Sequence, residues 1–352
     1  MKILVINPGA TSTKIAIYED TTELYKAGVD HSASDLAPFS AVIEQLDYRH
    51  QLIANVIKEA GFKMTDFSAV CGRGGLLRHV PSGTYTVNDQ MIEDIKHPPY
   101  GEHASNLGAI LAKSFADEVG IPAFIVDPVC VDELADIARI SGFEGMERQS
   151  FFHALNHKGM ARRAAKQLGA RYEDLNLIVV HMGGGVSVAA HQKGRVVDVN
   201  NVKDEGCFSM DRGGSLPVNA VINLCFSGKT KDEVKKMLGS QAGVFSYLGT
   251  RDFLEVVTNA FEHHDEKSRL IYDALVYQHA KDIGTMATVL KFDVDAILLT
   301  GGMANSKRLC DSINEYTNKI APMIILPGEA EMDSLAAGAY RVLCGEPSSI
   351  YQ

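Results

Sequence analysis

Two stretches of the chain share one pattern of apolar and polar positions. In each, a short apolar run ends at a polar residue, passes through a glycine-rich turn and continues as a second run of strand-like alternation. The first stretch is residues 2–18 (KILVINPGATSTKIAIY) and the second is residues 177–188 (LIVVHMGGGVSV). Both are therefore predicted to be β-hairpins whose turns leave backbone amides free to face an anion.

The residues that follow each turn exclude a Walker A phosphate loop. That motif places a helix directly after its glycines, its lysine and its serine or threonine. Here residues 14–17 and 186–189 alternate as strands instead. The two hairpins are thus candidates for phosphate binding of another kind.

The first hairpin is followed by a recognisable order of elements. We expect a strand near residues 23–29, a long helix near residues 39–60 and a strand at residues 67–71. This last strand runs into Gly72-Arg73-Gly74-Gly75, which places Arg73 just after the strand end.

The second hairpin is followed by a similar order. We expect a strand at residues 195–199, a helix-rich region and a strand at residues 296–299 that runs into Thr300-Gly301-Gly302. Because Asn7 and His181 are separated by about half the chain, this repetition indicates an internal duplication. The alternative is a chance coincidence of two glycine turns and two strand-Gly-Gly steps.

Composition narrows the class of protein. With 352 residues, 46% of them hydrophobic, the chain can bury two cores of ordinary size, which excludes a disordered protein. A net charge of -10 argues against nucleic-acid or anionic-membrane partners, because either needs a basic face. The six cysteines are scattered, and no apolar run approaches the roughly 18 residues of a membrane span. We therefore expect a cytoplasmic protein with neither a disulfide framework nor a zinc site.

Four segments resemble the signature motifs of the acetokinase family. Residues 7–14 (NPGATSTK) are close to the family's N-x-G-S-S-S-x-K, and residues 181–185 (HMGGG) are close to its H-x-G-x-G. Residues 152–158 (FHALNHK) resemble F-H-G-T-S-H-K, and residues 103–107 (HASNL) resemble H-N-P-x-N-L. The family comprises the acetate, propionate and butyrate kinases of the actin, hexokinase and Hsp70 superfamily. Its butyrate kinase branch is the most similar, since it carries a Gly-Arg-Gly-Gly stretch and a P-G-E-x-E-M ending.

The resemblance implies an α/β fold of two duplicated ribonuclease H-like domains around a central cleft. The first domain would span residues 1–130 and be completed by a C-terminal helix in residues 333–352. The second would span residues 131–332 and carry nucleotide-binding elements. The family is commonly oligomeric, so a homo-oligomer is expected.

The implied activity is transfer of the γ-phosphoryl of Mg-ATP to butyrate, or from butyryl phosphate to ADP. Acetate, propionate or a branched acid are the alternatives. Related sugar kinases use an Asp base, whereas Asn7 stands where such an Asp often lies. A carboxylate is already ionised at pH 7 and needs no base, so the enzyme's task is to position two anions and neutralise charge.

Three residues are expected at the carboxylate substrate. The resemblance gives Arg73 the role of binding the carboxylate in bidentate fashion, against the alternative of a surface arginine in a turn. Gly75 replaces a bulky apolar residue of the acetate enzymes and would widen the acyl pocket. His103 would support substrate binding.

Four more residues are expected at or beside the transferring phosphoryl group. By resemblance Arg212 stabilises the transition state and His153 donates a hydrogen bond to it. His157 either contacts phosphate or packs against His153. Asp127 would hold Mg²⁺ through water or orient the phosphoryl group, unless it only caps a turn.

Nucleotide and metal would be held by the two hairpins and by a later turn. Asn7 and Glu331 are the implied Mg²⁺ neighbours, with Glu329 as the alternative glutamate. The implied nucleotide-binding residues are Asn7, Thr11, Ser12, Lys14, His181, Gly183, Gly184, Gly185, Gly301, Gly302 and Asn305.

Two other classes of protein share this fold. One is a nucleotide-switched interaction protein like the Hsp70 ATPase lobe, which would bring a client domain. The other is a sugar kinase or a related transcriptional regulator, which would bring an Asp base, a DNA-binding segment or a zinc segment. Since fold alone does not separate these classes, the kinase hypothesis depends on Asn7, Arg73, His153 and Arg212 occurring together.

Overall fold

The computed structural model describes residues 1–98 and 101–352, which divide into two compact units. Unit 1 comprises Met1–Asp132, Ala154–Gly159 and Ala330–Gln352. Unit 2 comprises Glu133–His153 and Met160–Glu329. The chain therefore returns to unit 1 for its last segment.

The strands of the described residues form two sheets. In chain order they are β1 (Lys2–Pro8), β2 (Ser12–Glu19), β3 (Thr22–Asp30), β4 (Ala69–Arg73), β5 (Thr84–Thr86), β6 (Ala123–Val126), β7 (Asn176–Met182), β8 (Val186–Gln192), β9 (Arg195–Val199), β10 (Ala296–Gly301), β11 (Met323–Pro327) and β12 (Ser349–Ile350).

The α-helices of the described residues connect and cover these strands. In chain order they are α1 (Ala33–Leu36), α2 (Leu46–Glu59), α3 (Asp89–Lys96), α4 (Leu107–Asp117), α5 (Asp136–Arg139), α6 (Ala154–Gln167), α7 (Val218–Cys225), α8 (Lys231–Ser240), α9 (Gly243–Leu248), α10 (Phe253–Phe261), α11 (Glu266–Val289), α12 (Lys307–Thr317) and α13 (Glu331–Leu343). Short 3-10 helices lie at Val42–Gln45, Met64–Asp66, Ala104–Asn106, Tyr172–Asp174 and Gly302–Asn305.

Unit 1 is built around a sheet with the strand order β12-β5-β6-β4-β1-β2-β3. Strand β1 pairs antiparallel with β2 and parallel with β4. Alternate side chains of β1 enter two cores: Leu4 and Ile6 pack in one cluster with residues of α2 and α4, and Ile3 and Val5 pack in another with residues of α13. Both faces of this sheet are therefore covered.

Unit 2 repeats this arrangement. Its sheet has the order β11-β10-β7-β8-β9, in which β7 pairs antiparallel with β8 and parallel with β10. The order β6-β4-β1-β2-β3 of unit 1 is the same arrangement, strand for strand. Main core residues come from β7, β10, α11 and α12. The duplicated α/β architecture expected from the sequence is thus present in the strand order.

Several sequence-based details were wrong. The helix expected near residues 39–60 begins later, because a 3-10 helix at Val42–Gln45 precedes α2. Strand β8 does not alternate in burial, since every residue except its last is buried. Arg73 is the last residue of β4 rather than the residue after it. Across residues 1–98 and 101–352, none of the helices combines the length and hydropathy that crossing a membrane requires.

Candidate active site

In unit 1, three predicted site residues lie at neighbouring strand ends. Ile6 of β1 pairs with Gly72 of β4, so the next residues along, Asn7 and Arg73, are neighbours. Arg73 in turn pairs with Val126 of β6, which directly precedes Asp127. Carboxyl ends of adjacent parallel strands are the usual ligand-binding edge of an α/β sheet.

Arg73 holds a carboxylate in bidentate fashion. Its two terminal nitrogens lie 2.8 Å from the two oxygens of Glu331, the first residue of α13. The Asn7 side-chain nitrogen donates to the same carboxylate at 2.8 Å, and Arg73 also donates to Oδ1 of the Asn7 side chain at 3.3 Å. The predicted substrate arginine and the two predicted metal neighbours thus form one cluster. Of the two candidate glutamates, Glu331 is the one in contact with Asn7.

Asp127 is bound to a turn. Its buried carboxylate accepts hydrogen bonds from the Ser82 hydroxyl at 2.6 Å and the Gly83 backbone N–H at 2.9 Å. Its backbone has a left-handed φ of 40°, which these bonds stabilise. These contacts match the alternative in which Asp127 caps a turn.

His103 begins the 3-10 helix Ala104–Asn106. Its Nδ1 accepts from the Ser105 backbone N–H at 3.2 Å and lies 2.8 Å from the Ser105 hydroxyl. Because Nδ1 accepts, the ring proton is on Nε2, which makes that nitrogen a donor.

Gly75 lies directly against the side chain and backbone of Asn106. A Cβ at Gly75 would lie 2.2 Å from Oδ1 of Asn106 and 2.5 Å from its Cα. The Asn106 side chain accepts from the Leu76 backbone N–H at 2.8 Å, which holds it there. Asn106 therefore occupies the space that a side chain at Gly75 would take, and a wider acyl pocket at Gly75 stays a prediction.

The turn of the first hairpin carries the remaining predicted residues of unit 1. Thr11 is exposed, Ser12 is half-buried, and Lys14 is exposed on β2 directly across from Asn7. Lys14 on β2 is therefore the cross-strand neighbour of Asn7 on β1.

In unit 2, His153 lies against His181. The two imidazole rings stack with their centroids 3.9 Å apart and their planes 17° apart. His153 Nδ1 is 2.9 Å from the hydroxyl of Ser187, a fully buried residue that pairs with His181 across the β7–β8 hairpin. The predicted transition-state donor is thus oriented by both strands of the second hairpin. His157, one helical turn later, is fully buried.

Arg212 lies against the turn of the same hairpin. A Cβ at Gly185 would be 3.1 Å from an Arg212 terminal nitrogen, and Arg212 donates to the Val202 carbonyl at 3.2 Å. The Ser209 hydroxyl donates to the Gly184 carbonyl and accepts from the Arg212 backbone N–H. This serine therefore joins the arginine's loop to the hairpin turn.

The later turn that was predicted to bind nucleotide, with Gly301, Gly302 and Asn305, also adjoins the second hairpin. Gly301 has φ 88°, and a Cβ there would lie 2.4 Å from the Met182 carbonyl oxygen, so only glycine fits. Asn305 donates to the Gly302 carbonyl at 2.9 Å. Gly183 donates its backbone N–H to Gly185, and Gly184 has open space around it.

A cavity of about 690 Å³ lies elsewhere in unit 2. Phe208 and Gly213, which flank the Arg212 loop, are among its lining residues, together with apolar residues of α8, α9 and α11. Gly301, Gly302 and Asn305 do not line it. The cavity therefore does not coincide with the later turn that was predicted to bind nucleotide.

Three residues that hold the turns and strands of the two hairpins were not predicted from the sequence. Ser187 and Ser209 are ordinary serines in sequence, and only their three-dimensional contacts distinguish them. Arg49 left a readable signal, because it precedes Ile53 and Ile57 by four and eight residues on the buried stripe of α2. A charged residue at such a core position is unusual.

Solved structures of acyl kinases share this fold. The acetate kinase of Porphyromonas gingivalis matches with a TM-score of 0.78 and 17% identity, covering 97% of this chain and 99% of that one. The propionate kinase of Francisella tularensis matches with a TM-score of 0.73 and 19% identity, covering 96% and 98%. The predicted fold class, an α/β protein of the actin and hexokinase type, is confirmed.

Sequence comparison assigns the family. The model of the acetokinase family matches residues 144–320. Butyrate kinase 1 of Clostridium acetobutylicum is 50% identical over 347 residues, which cover 98% of each chain. A probable butyrate kinase of Listeria monocytogenes is 50% identical over 345 residues, 97% of each. This chain belongs to the acetokinase family, as the motifs indicated.

Proposed function

We propose that the protein is a butyrate kinase, which transfers the γ-phosphoryl of ATP to the carboxylate of butyrate and catalyses the reverse reaction. The observation that carries the proposal is that Arg73 binds a carboxylate, that of Glu331, in bidentate fashion at the carboxyl ends of β1, β4 and β6. A substrate carboxylate could be bound by the same two nitrogens. The names of the 50%-identical relatives support butyrate as the acid.

The acceptor needs binding rather than deprotonation. A sugar kinase uses a carboxylate base to take the proton from a hydroxyl group. Butyrate is already ionised at neutral pH, so the neutral amide of Asn7 can stand where that base would be. The planar fork of Arg73 matches a carboxylate with two parallel hydrogen bonds and thereby orients one oxygen for attack.

By the family resemblance, Arg212 and His153 would neutralise charge on the transferring phosphoryl group. Arg212 lies against the hairpin turn at Gly185 and supplies a positive charge there. His153, oriented by Ser187 and His181, supplies a donor. Preorganised donors of this kind act on charge that develops in the transition state and so raise kcat more than binding.

The residues present fit a magnesium ion that completes its shell with phosphate oxygens and water. Mg²⁺ binds through one or two protein oxygens in such sites, and Asn7 and Glu331 offer an amide oxygen and a carboxylate. No cluster of three or more His, Cys, Asp or Glu side chains suited to a metal occurs in residues 1–98 and 101–352. Bound there, the ion would neutralise charge between the β- and γ-phosphates. With Glu331 bound to the ion, the guanidinium of Arg73 would be available to bind the substrate carboxylate.

Acyl phosphate formation tests the proposed reaction. Mg-ATP and acetate, propionate, butyrate, isobutyrate or valerate are incubated with the enzyme, and the acyl phosphate is trapped with hydroxylamine. We expect the highest kcat/KM for butyrate. Neighbouring acids should react about 10- to 200-fold less well, since one methylene in an apolar pocket is worth about 1–3 kcal/mol.

A maximum at acetate, propionate or a branched acid would move the assignment to that kinase. Failure of every carboxylate while ATP still binds would overturn the acyl kinase proposal in favour of a sugar kinase or a nucleotide-switched interaction protein.

We also propose a cytoplasmic homo-oligomer. No residue of α7 is buried in the single chain, although the helix reads VNAVINLC, and Val218, Ile222 and Phe226 expose 72%, 47% and 87% of their surface. A second copy would cover such an apolar face. Light scattering should show a multimer that Ile222→Glu dissociates, while Phe292→Glu, at another exposed apolar residue, leaves the mass unchanged. A monomeric wild type would contradict the proposal.

A further inference from the structure

Helix α2 buries a charged side chain behind the first hairpin. Arg49 has no exposed surface, and its side chain shares the inner stripe of α2 with Ile53 and Ile57. Nothing in the proposed reaction uses it. A fully buried arginine is rare unless its charge has a partner.

The partners of Arg49 are oxygens of the hairpin turn. One terminal nitrogen donates to the Gly9 carbonyl at 2.9 Å, the Thr13 hydroxyl at 2.9 Å and the Ser12 carbonyl at 3.4 Å. The other lies 3.5 Å from the Ala10 carbonyl. Both the second terminal nitrogen and Nε donate to the Gln45 side chain, at 2.9 and 3.1 Å, which anchors the guanidinium on its own helix.

These contacts turn the carbonyls of the turn inward. The Gly9, Ala10 and Ser12 carbonyls face Arg49, and the Thr11 carbonyl accepts from the His31 backbone N–H at 2.8 Å. The Ala10 and Thr11 backbone N–H groups have no acceptor among residues 1–98 and 101–352, and both residues are exposed. Successive unpaired amides on a turn form an anion-binding nest.

The charge of Arg49 is not neutralised by the protein. Within the described ranges, no carboxylate lies at ion-pair distance from its guanidinium, whose hydrogen-bond acceptors are all neutral oxygens. Burial lowers the pKa of Arg49, and the pKa of His31 is lowered by burial and by the charge of Arg49. A buried charge that stays uncompensated is costly, so a bound anion at the turn would offset it.

We propose that Arg49 is a positioning residue for nucleotide phosphate: it holds the turn at residues 9–12 with its amides outward and places a positive charge behind them. It does not touch the nucleotide itself. The proposal rests on the proposed function only in taking the ligand to be Mg-ATP, and its test measures nucleotide binding without any acceptor.

The test compares four variants by calorimetric titration with the Mg²⁺ complex of the β,γ-imido analogue of ATP. Arg49→Gln removes the positive charge and the planar guanidinium, and Arg49→Lys keeps the charge alone. Gln45→Ala removes only the side chain that anchors the guanidinium on α2 and its preceding turn. Arg78→Gln is the control, because Arg78 pairs with Asp94 in unit 1 outside the hairpin. The butyrate KM and the melting temperature without ligand are measured on each variant.

We expect Arg49→Gln to weaken analogue binding at least 10-fold, Arg49→Lys to weaken it by less, and Gln45→Ala to weaken it 2- to 5-fold. The control and every butyrate KM should stay within about twofold of wild type. If Arg49 had a purely structural role, its substitution would lower the melting temperature without weakening analogue binding more than it changes the butyrate KM. Analogue affinities within twofold of wild type for the folded variants overturn the proposal; if Arg49→Gln does not fold, Arg49→Lys and Gln45→Ala decide.

The two proposals fail separately. If the wild type phosphorylates no carboxylate but Arg49→Gln still loses analogue affinity, the proposed reaction is wrong and the role of Arg49 stands. If butyrate is phosphorylated and the affinities are unchanged, the converse holds.

Discussion

At the scale of single residues, the functional groups and the groups that hold them differ in how visible they are in sequence. Asn7, Arg73 and Glu331 were predicted because each lies in a recognisable motif, and the structure brings the three into one cluster. Ser187 and Ser209 were not predicted, because their role depends on which atom each hydroxyl faces after folding. A sequence motif identifies the residue types that carry the chemistry, whereas the orientation of their side chains depends on packing in the folded chain.

Arg73→Lys should raise the butyrate KM about 10- to 100-fold. A lysine is a point charge and cannot make two parallel hydrogen bonds to one carboxylate, and a hydrogen bond to a charged group is worth about 1.5–3 kcal/mol. Arg78→Lys is the matched control, since Arg78 also pairs with a carboxylate, Asp94, in unit 1. Equal butyrate KM values for the two variants would exclude Arg73 from the substrate site.

His279 should make the protein less stable in mild acid. This residue is fully buried in α11, its Nδ1 donates to the Leu275 carbonyl at 2.7 Å, and burial lowers its pKa from 6.5 to about 4. Between these two values the unfolded state binds the proton and the folded state does not, so stability is present above pH 6.5 and is lost as the pH falls towards 4. The loss between pH 7 and pH 5 should be about 2 kcal/mol.

Urea unfolding at pH 7 and pH 5 measures this loss. His279→Gln should show a smaller decrease than the wild type, while His264→Gln, at an exposed residue, should show the same decrease as the wild type. An unchanged pH dependence in His279→Gln would contradict the prediction.

At the scale of elements, the two hairpins were predicted well and the helices less well. A strand, a glycine turn and a second strand leave a local pattern, so β1, β2, β7 and β8 were found from sequence. The start of α2 was misplaced because apolar spacing continues through the 3-10 helix at Val42–Gln45. The contact of Gly75 with Asn106 could not be foreseen, because Asn106 is distant in sequence and is brought there only by folding.

Gly301→Ala should destabilise the protein by about 1–3 kcal/mol, because a positive φ and a Cβ against the Met182 carbonyl both oppose a side chain. Gly284→Ala, in the interior of α11 with open space around it, should instead stabilise by about 0.5–1 kcal/mol. Thermal unfolding of both variants checks the pair. A stable Gly301→Ala would mean that the backbone at the end of β10 is free to move away from the hairpin.

At the scale of the whole molecule, the duplication seen in sequence corresponds to five strands of the unit 1 sheet, β6-β4-β1-β2-β3, that match the five-stranded sheet of unit 2 in order. Sequence indicated it because each half has a hairpin with a glycine-rich turn and a later strand that runs into glycines. The expectation that a C-terminal helix completes the first domain came from the family resemblance and not from the apolar pattern, because the return of Ala330–Gln352 to unit 1 depends on α13 packing against β1 and β4. Residues on α13, above all Glu331, therefore join a site whose other members lie more than two hundred residues earlier.

Phosphorus NMR of Mg-ATP with butyrate tests the central claim most directly. Loss of the γ-phosphoryl signal should be matched by an equal gain of butyryl phosphate and ADP, and Arg212→Ala should slow both about 10²- to 10³-fold with little change in the butyrate KM. Conversion of the γ-phosphoryl to inorganic phosphate without any acyl phosphate, or an Arg212→Ala enzyme as fast as the wild type, would contradict the account.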